Sequence, residues 1–94
     1  MKPLEGITVM EFSTMITASF AAMMMAEQGA RVIKVEPLGA GDPMRYIGAN
    51  KGGIASLFAN CNRGKRSIRV NIKEESGQAL IRDMVSEVDV FIHN

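Results

Sequence analysis

Apolar positions along the chain come in short runs separated by glycine, proline and polar turns, and the runs switch between two periods. Ile7-Thr8-Val9-Met10-Glu11-Phe12 is β-prone and predicts a first strand. The polar turn Ser13 to Ser19 carries several possible N-caps. A helix rich in Ala and Met then runs from about Thr17 or Ser19 to Gln28, and Gly29 stands where a left-handed C-cap glycine belongs. Arg31-Val32-Ile33-Lys34-Val35-Glu36 predicts a second strand, stopped by Pro37, which has no N–H to continue a ladder. This β-α-β unit takes about thirty residues, the length of a parallel crossover.

Leu38 to Gly53 reads as loop, punctuated by Gly39, Gly41, Pro43, Gly48, Gly52 and Gly53. Ile54 to Cys61 predicts a short helix. Arg66 to Ile72 alternates strictly, as a strand with one buried and one polar face does. Glu74 to Glu87 places Leu80, Ile81, Met84 and Val85 on one helical stripe, with Glu74 and Glu75 near the positive end of the macrodipole. Val88 to Ile92 predicts a fourth strand. No internal repeat, low-complexity tract or linker divides the chain. The order predicts an α/β fold with an open, mostly parallel sheet and Rossmann-like β-α-β connections. Such sheets need helices on both faces, and two convincing helices are few for four strands. The chain stops at His93-Asn94, beyond the carboxyl end of a strand, where ligand sites of open α/β sheets lie. The expectation is the opening portion of a larger protein.

Composition narrows the class. With 47% hydrophobic residues, 22% charged residues and a formal net charge of +1, the chain is neither disordered by composition nor tailed by block charge. One cysteine excludes a disulfide framework, and no Cys/His cluster could build a structural zinc site. The longest apolar run, Phe20 to Ala26, is far shorter than the ~20 residues that span a bilayer. The first six residues contain no apolar secretory core, so a cytoplasmic, soluble protein without membrane partners is expected. Eight Met, five aromatics and no Trp imply a core of flexible side chains that fill gaps but specify packing weakly. Met23, Met24 and Met25 cannot all face one side of a helix. They predict a helix buried on more than one side, by further chain or by a second subunit.

Familiar nucleotide motifs fail on inspection. Glu36 ends the second strand where an acidic residue would hold a ribose hydroxyl. The first β-α turn, Phe12 to Ser19, has no glycine to let backbone approach a pyrophosphate, which argues against NAD. Asn62 to Ser67 offers a Gly-Lys pair, but Ala59 replaces the leading Walker glycine, Arg66 follows the lysine, and a strand follows rather than a helix. What remains is a basic segment, Arg63, Lys65, Arg66, Arg69 and Lys73. Its functional reading is a localised phosphate site, and its alternative is a charged edge strand that resists aggregation. Nucleic acid fits less well, because no aromatics interleave and the net charge is low. Cys61 reads as a small buried hydrophobe, His93 as a lone histidine, and Asp42 as a turn residue.

Pro3 to Ile7, Gly29 to Pro37, Gly41-Asp42-Pro43-Met44-Arg45, Asn62 to Ser67 and the closing Val88 to Asn94 occur in an order that resembles the amino-terminal part of the family III CoA-transferases. That group includes formyl-CoA transferase, carnitine CoA-transferase and α-methylacyl-CoA racemase, and the likeness covers essentially the whole chain. It implies that residues 1–94 are the front of a large CoA-binding Rossmann-like domain, within an enzyme about four times longer whose subunits interlock as a homodimer. It implies CoA or acyl-CoA as substrate across the carboxyl ends of the strands, with a carboxylic acid as acceptor. By resemblance, Ile16 and Thr17 contact CoA from the first turn and Pro37 flanks the adenine. Val70, Asn71, Ile72 and Lys73 line the nucleotide, Lys73 facing phosphate, and Asn94 opens the next binding loop. Arg45 is a further candidate.

The chain departs from the family in that first turn, where Ala18-Ser19 replaces a usual Gly-Pro pair. Thr14 and Ile16 stand where formyl-CoA transferase has His and Gln, which puts oxalate or formyl specificity in question. The family's nucleophilic Asp lies beyond residue 94, so no catalytic residue is expected within the chain, which alone should be inactive. Neither a metal nor NAD is implied. The alternatives are an acyl-CoA racemase of the same family and, in another class, a non-catalytic phosphate or nucleic-acid binding module.

Overall fold

The computed structural model describes residues 1–94. Strand β1 (Thr8–Phe12) leads into helix α1 (Thr17–Glu27) and strand β2 (Arg31–Glu36). A single 3-10 turn (Pro43–Arg45) and two short strands, β3 (Asn50–Lys51) and β4 (Ile54–Ala55), precede helix α2 (Ser56–Cys61). Strand β5 (Arg66–Arg69), helix α3 (Glu75–Val85) and strand β6 (Val90–His93) complete the chain. The main sheet has the order β5-β2-β1-β6 with every pair parallel. All four carboxyl ends therefore lie along one edge. The chain first steps outward from β1 to β2 to β5, then returns to β6 on the other side of β1. The strand order reverses at β1, the place where ligand crevices form in such sheets.

Strand alternation divides the core in two. Val9 and Val32 face α1 and pack with Ala22 and Ala30. Met10 and Val35 face the opposite side and pack with Val70, joined by the partly buried Ile81 and Met84 of α3. Only 19 of 94 residues are buried, so each cluster is small. Helices thus lie on both faces, α1 with α2 on one and α3 on the other. Cover is incomplete: Phe91 on β6 is 44% exposed beside Phe12 and His93. On α1 the outward Ile16, Phe20 and Met24 are also exposed, whereas Met23 is buried. The Met-rich helix accordingly presents apolar side chains in two directions.

Several boundaries differ from the sequence reading. The region 38–53, read as loop, contains the 3-10 turn and β3, because Asp42 caps the turn by accepting from Met44 N at 3.0 Å. The helix expected from Ile54 begins at Ser56, since Ile54 and Ala55 pair with Lys51 and Asn50. The third strand ends at Arg69 rather than Ile72. Val70 still donates to Glu36 O at 3.0 Å, after which the chain turns into α3. The fourth strand starts at Val90 instead of Val88. Gly29 does take the left-handed conformation, φ +105°, and a Cβ there would meet Lys2 Cβ at 2.8 Å.

Candidate functional site

A cleft of about 280 Å³ opens at the carboxyl ends of β1, β2 and β5. Phe12, Val35, Pro37, Val70 and Ile72 give it an apolar floor, while Ser13, Thr14, Glu36 and Asn94 supply polar atoms. Asn94 closes one side by bonding the first turn: its Nδ2 donates to Thr14 O at 2.7 Å, and Thr14 N donates to Asn94 Oδ1 at 3.3 Å. An apolar platform with a few convergent polar groups is the usual make-up of a small-molecule site.

Glu36 is not a free acceptor in this cleft. Its carboxylate receives Arg45 Nε at 2.7 Å and Nη2 at 2.6 Å, the Asp42 amide at 2.8 Å, and the Ser67 hydroxyl. Burial alone would raise its pKa. The Arg45 fork, the Asp42 amide and Ser67 outweigh that and hold it at about 2. Arg45 in turn stacks over Phe58, its guanidinium carbon 4.1 Å from the ring centroid. Gly41 sits against this pair, where a Cβ would stand 2.6 Å from Glu36 Oε1.

Beneath the first turn lies a second group of charges, fully enclosed. Glu11 and Lys34 are paired neighbours on β1 and β2. Lys34 Nζ lies 2.7 Å from Glu11 Oε2, 2.9 Å from Asp42 Oδ2 and 3.1 Å from Ser19 Oγ. Glu11 Oε1 faces Lys65 Nζ at 2.5 Å, and Glu11 Oε2 also accepts from Ser13 Oγ at 2.5 Å and Ser19 Oγ at 3.0 Å. Two ammoniums thus offset two carboxylates. Burial pushes the Glu11 carboxyl up, but Lys34, Lys65 and Ser13 together bring it below its ordinary value. Burial also lowers the Lys65 ammonium, which Glu11 only partly restores.

Of the eight residues singled out from the sequence, the cleft brings together Pro37, Val70, Ile72 and Asn94. Ile16 and Thr17 sit at the start of α1, outside its lining, and Ile16 is exposed. Asn71 turns its side chain back to accept from Lys73 N at 3.1 Å, and Lys73 is exposed at the mouth of α3. Gly77 of α3 crosses so close to the Asn71 carbonyl that no Cβ fits. Sequence reasoning gave Ser13 no role, noted Thr14 only as a departure from formyl-CoA transferase, and took Asp42 as a turn residue although it is wholly buried against Lys34. One signal was available: Glu11 and Lys34 share the inward face with Val9 and Val32, so parallel pairing sets opposite charges side by side.

The basic segment does not form one patch. Lys65 is consumed by Glu11 and by Ser19 O at 2.8 Å, Arg63 pairs with Glu27 at 2.5 Å, and Arg69 donates to Gly39 O. Arg66 lies level with Ile33, short of the strand ends. Only Lys73 is both unpaired and close to the carboxyl edge. No helix is long and apolar enough to cross a membrane.

The description of CoA-transferase family III matches residues 4–94. Human succinyl-CoA:glutarate CoA-transferase is 40% identical over 94 residues, covering 99% of this chain and 22% of the relative. Acetyl-CoA:oxalate CoA-transferase of Acetobacter aceti is 36% identical, over 98% of this chain and 24% of the relative. The crystal structure of a CAIB/BAIF family protein from Brucella suis superposes with a TM-score of 0.90 at 38% identity, covering 99% of this chain and 26% of that one. The chain thus spans 22–24% of the length of these curated relatives.

Proposed function

The chain belongs to CoA-transferase family III, and on that footing we propose that it is the CoA-binding front section of an enzyme that moves CoA from an acyl-CoA to an acceptor carboxylic acid. The observation that carries this reading is the cleft at the carboxyl ends of β1, β2 and β5, beside the reversal of strand order, floored by Val35, Pro37, Val70 and Ile72 and edged by Ser13, Thr14 and Asn94. Apolar side chains of that kind accept the faces of a purine ring, and the Thr14 hydroxyl stands at the edge while its backbone groups are held by Asn94. Lys73 stands nearby as a point charge for phosphate, and Ile16 and Thr17 would meet the nucleotide or its pantetheine arm from the start of α1. With Glu36 committed to Arg45, a ribose diol has no free carboxylate here, which fits CoA better than NAD.

The reacting carboxylate comes from beyond residue 94. An Asp there attacks the acyl-CoA thioester, releasing CoA thiolate and leaving a mixed anhydride. The thiolate returns to the aspartyl carbonyl and expels the first acid, giving an aspartyl-CoA thioester. The acceptor carboxylate attacks that carbonyl to form a second anhydride, and the thiolate then takes the acceptor acyl group and frees the Asp. Residues of this chain anchor the nucleotide, so binding energy remote from the thioester holds it in place. The interlocked homodimer of the family is proposed for the complete protein. The transferase reading is preferred to racemisation because both named relatives are transferases.

The test is made in the complete enzyme. Val70→Asp and Ile72→Glu should raise KM for acyl-CoA about tenfold or more, leaving KM for the acceptor acid within about twofold. Arg31→Ala, at the opposite end of the strands, should change neither. Folded Val70 and Ile72 variants with unaltered KM for acyl-CoA would refute the assignment, as would transferase turnover by the 94-residue chain alone.

A further inference from the structure

Met15 is the only non-glycine residue with a left-handed backbone, φ +65°. An L side chain is uncommon in that region and persists there only where its surroundings hold it. It lies in the β1–α1 turn, which contains no glycine. The Met15 N–H has no backbone acceptor; it donates instead to Asp42 Oδ1 at 3.2 Å, across 27 residues of sequence.

Asp42 is itself held on every side. Oδ1 also accepts from Met44 N, Oδ2 faces Lys34 Nζ at 2.9 Å, and its own amide donates to Glu36 Oε1 at 2.8 Å. Lys34 is fixed by Glu11 and Ser19, so the carboxylate has no freedom to leave the turn. From the other side Asn94 grips Thr14, one residue before Met15. Thr14 of the cleft wall is therefore held by Asn94 and followed by a residue that Asp42 holds from within the protein, whereas Ser13 is held separately by Glu11.

We propose that Asp42 is a positioning residue for the strand-end cleft: its carboxylate keeps the glycine-free β1–α1 turn left-handed at Met15 and so sets where Thr14 stands. The inference rests on the CoA reading only for what the wall contacts. Asp42 touches no substrate in this scheme and acts through the turn. The carboxylate supplies by a side-chain bond what glycine supplies by conformational freedom in other turns. Glycine at position 15 should therefore make Asp42 partly dispensable.

Amide hydrogen exchange reads the turn without any ligand. In the unmodified protein the Met15 N–H should exchange at least about tenfold more slowly than an unprotected turn amide. Exchange at the free rate would overturn the proposal before any variant is made. Asp42→Ala should release the Met15 amide while β1 and β2 amides keep their protection, and Asp42→Asn, which retains an oxygen for both amides, should release it less. In the complete enzyme Asp42→Ala should raise KM for acyl-CoA about tenfold with kcat within about threefold, and Met15→Gly should recover part of that loss. A folded Asp42→Ala protein with wild-type exchange at Met15, or with a KM defect that Met15→Gly leaves untouched, would also refute the role. If the unmodified enzyme itself binds no CoA by calorimetry, the CoA reading falls while the exchange result still decides the role of Asp42.

Discussion

Asn94 and Thr14 exchange two hydrogen bonds across 80 residues of sequence, the Asn94 amide giving one to the Thr14 carbonyl and taking one from its N–H. The pair ties the exit of β6 to the turn leaving β1, where the sheet reverses its order. One amide side chain thus extends the contact between β1 and β6 past their last ladder pair, Phe12 and His93.

Asn94→Asp keeps the acceptor and loses the donor, so it should break only the shorter bond. Both groups are exposed, which limits the cost to about 1 kcal/mol. Urea denaturation should show a small fall in midpoint for Asn94→Asp and a somewhat larger one for Asn94→Ala.

Lys34 is the hub of the enclosed charges. Replacing it with Met leaves Glu11 and Asp42, both wholly buried, short of their shared ammonium. A loss of about 3–5 kcal/mol is expected, against which Glu11→Gln added to Lys34→Met should recover a measurable part. Chemical denaturation of the two single variants and the double variant gives the coupling directly. Strictly additive losses would show that the ammonium and carboxylate do not depend on each other.

Glu36 makes stability depend on acid. Its pKa is lowered to about 2 in the folded chain, from 4.5 ordinarily, so the folded state favours the ionised form. The associated stabilisation is complete above about pH 4.5 and is lost as pH falls toward 2. Thermal melts of Glu36→Gln should therefore lie below the parent at pH 7 and approach it as pH drops through that window. The gap should stay open if Glu36 matters only by shape.

Gly41 and Gly39 both have positive φ, +79° and +77°, yet their surroundings differ. A Cβ at 41 would collide with Glu36 Oε1 and press on Arg45, whereas nothing lies within 4 Å at 39. Gly39→Ala should cost about 1 kcal/mol from backbone conformation alone. Gly41→Ala should cost clearly more and, by displacing the Arg45–Glu36 pair, shrink the acid dependence described for Glu36. Paired denaturation curves at pH 7 and pH 3 test both statements.

Sequence patterning revealed the parallel α/β order because short β-prone runs alternate with helical ones: Arg66 to Ile72 alternates, Leu80, Ile81, Met84 and Val85 recur on one stripe, and Gly29 and Pro37 end the helix and strand before them. Pro37, Val70, Ile72 and Asn94, which line the cleft, were named only through family resemblance, since apolar lining residues look like core residues in a sequence. The basic segment misled for a physical reason. Charges close in sequence were spent on separate partners, Lys65 on Glu11 and Arg63 on Glu27, which only the folded chain brings near. Asp42 was hidden differently: a Gly-Asp-Pro string announces a turn, and nothing local reveals a lysine from β2 beneath it.

The place of β1 at the middle of the sheet has a consequence for biosynthesis. Its partner β2 emerges from the ribosome soon after it, but Val9 meets Val90 only when β6 arrives. Until then one flank of the oldest strand offers bare amides and carbonyls to any passing extended peptide.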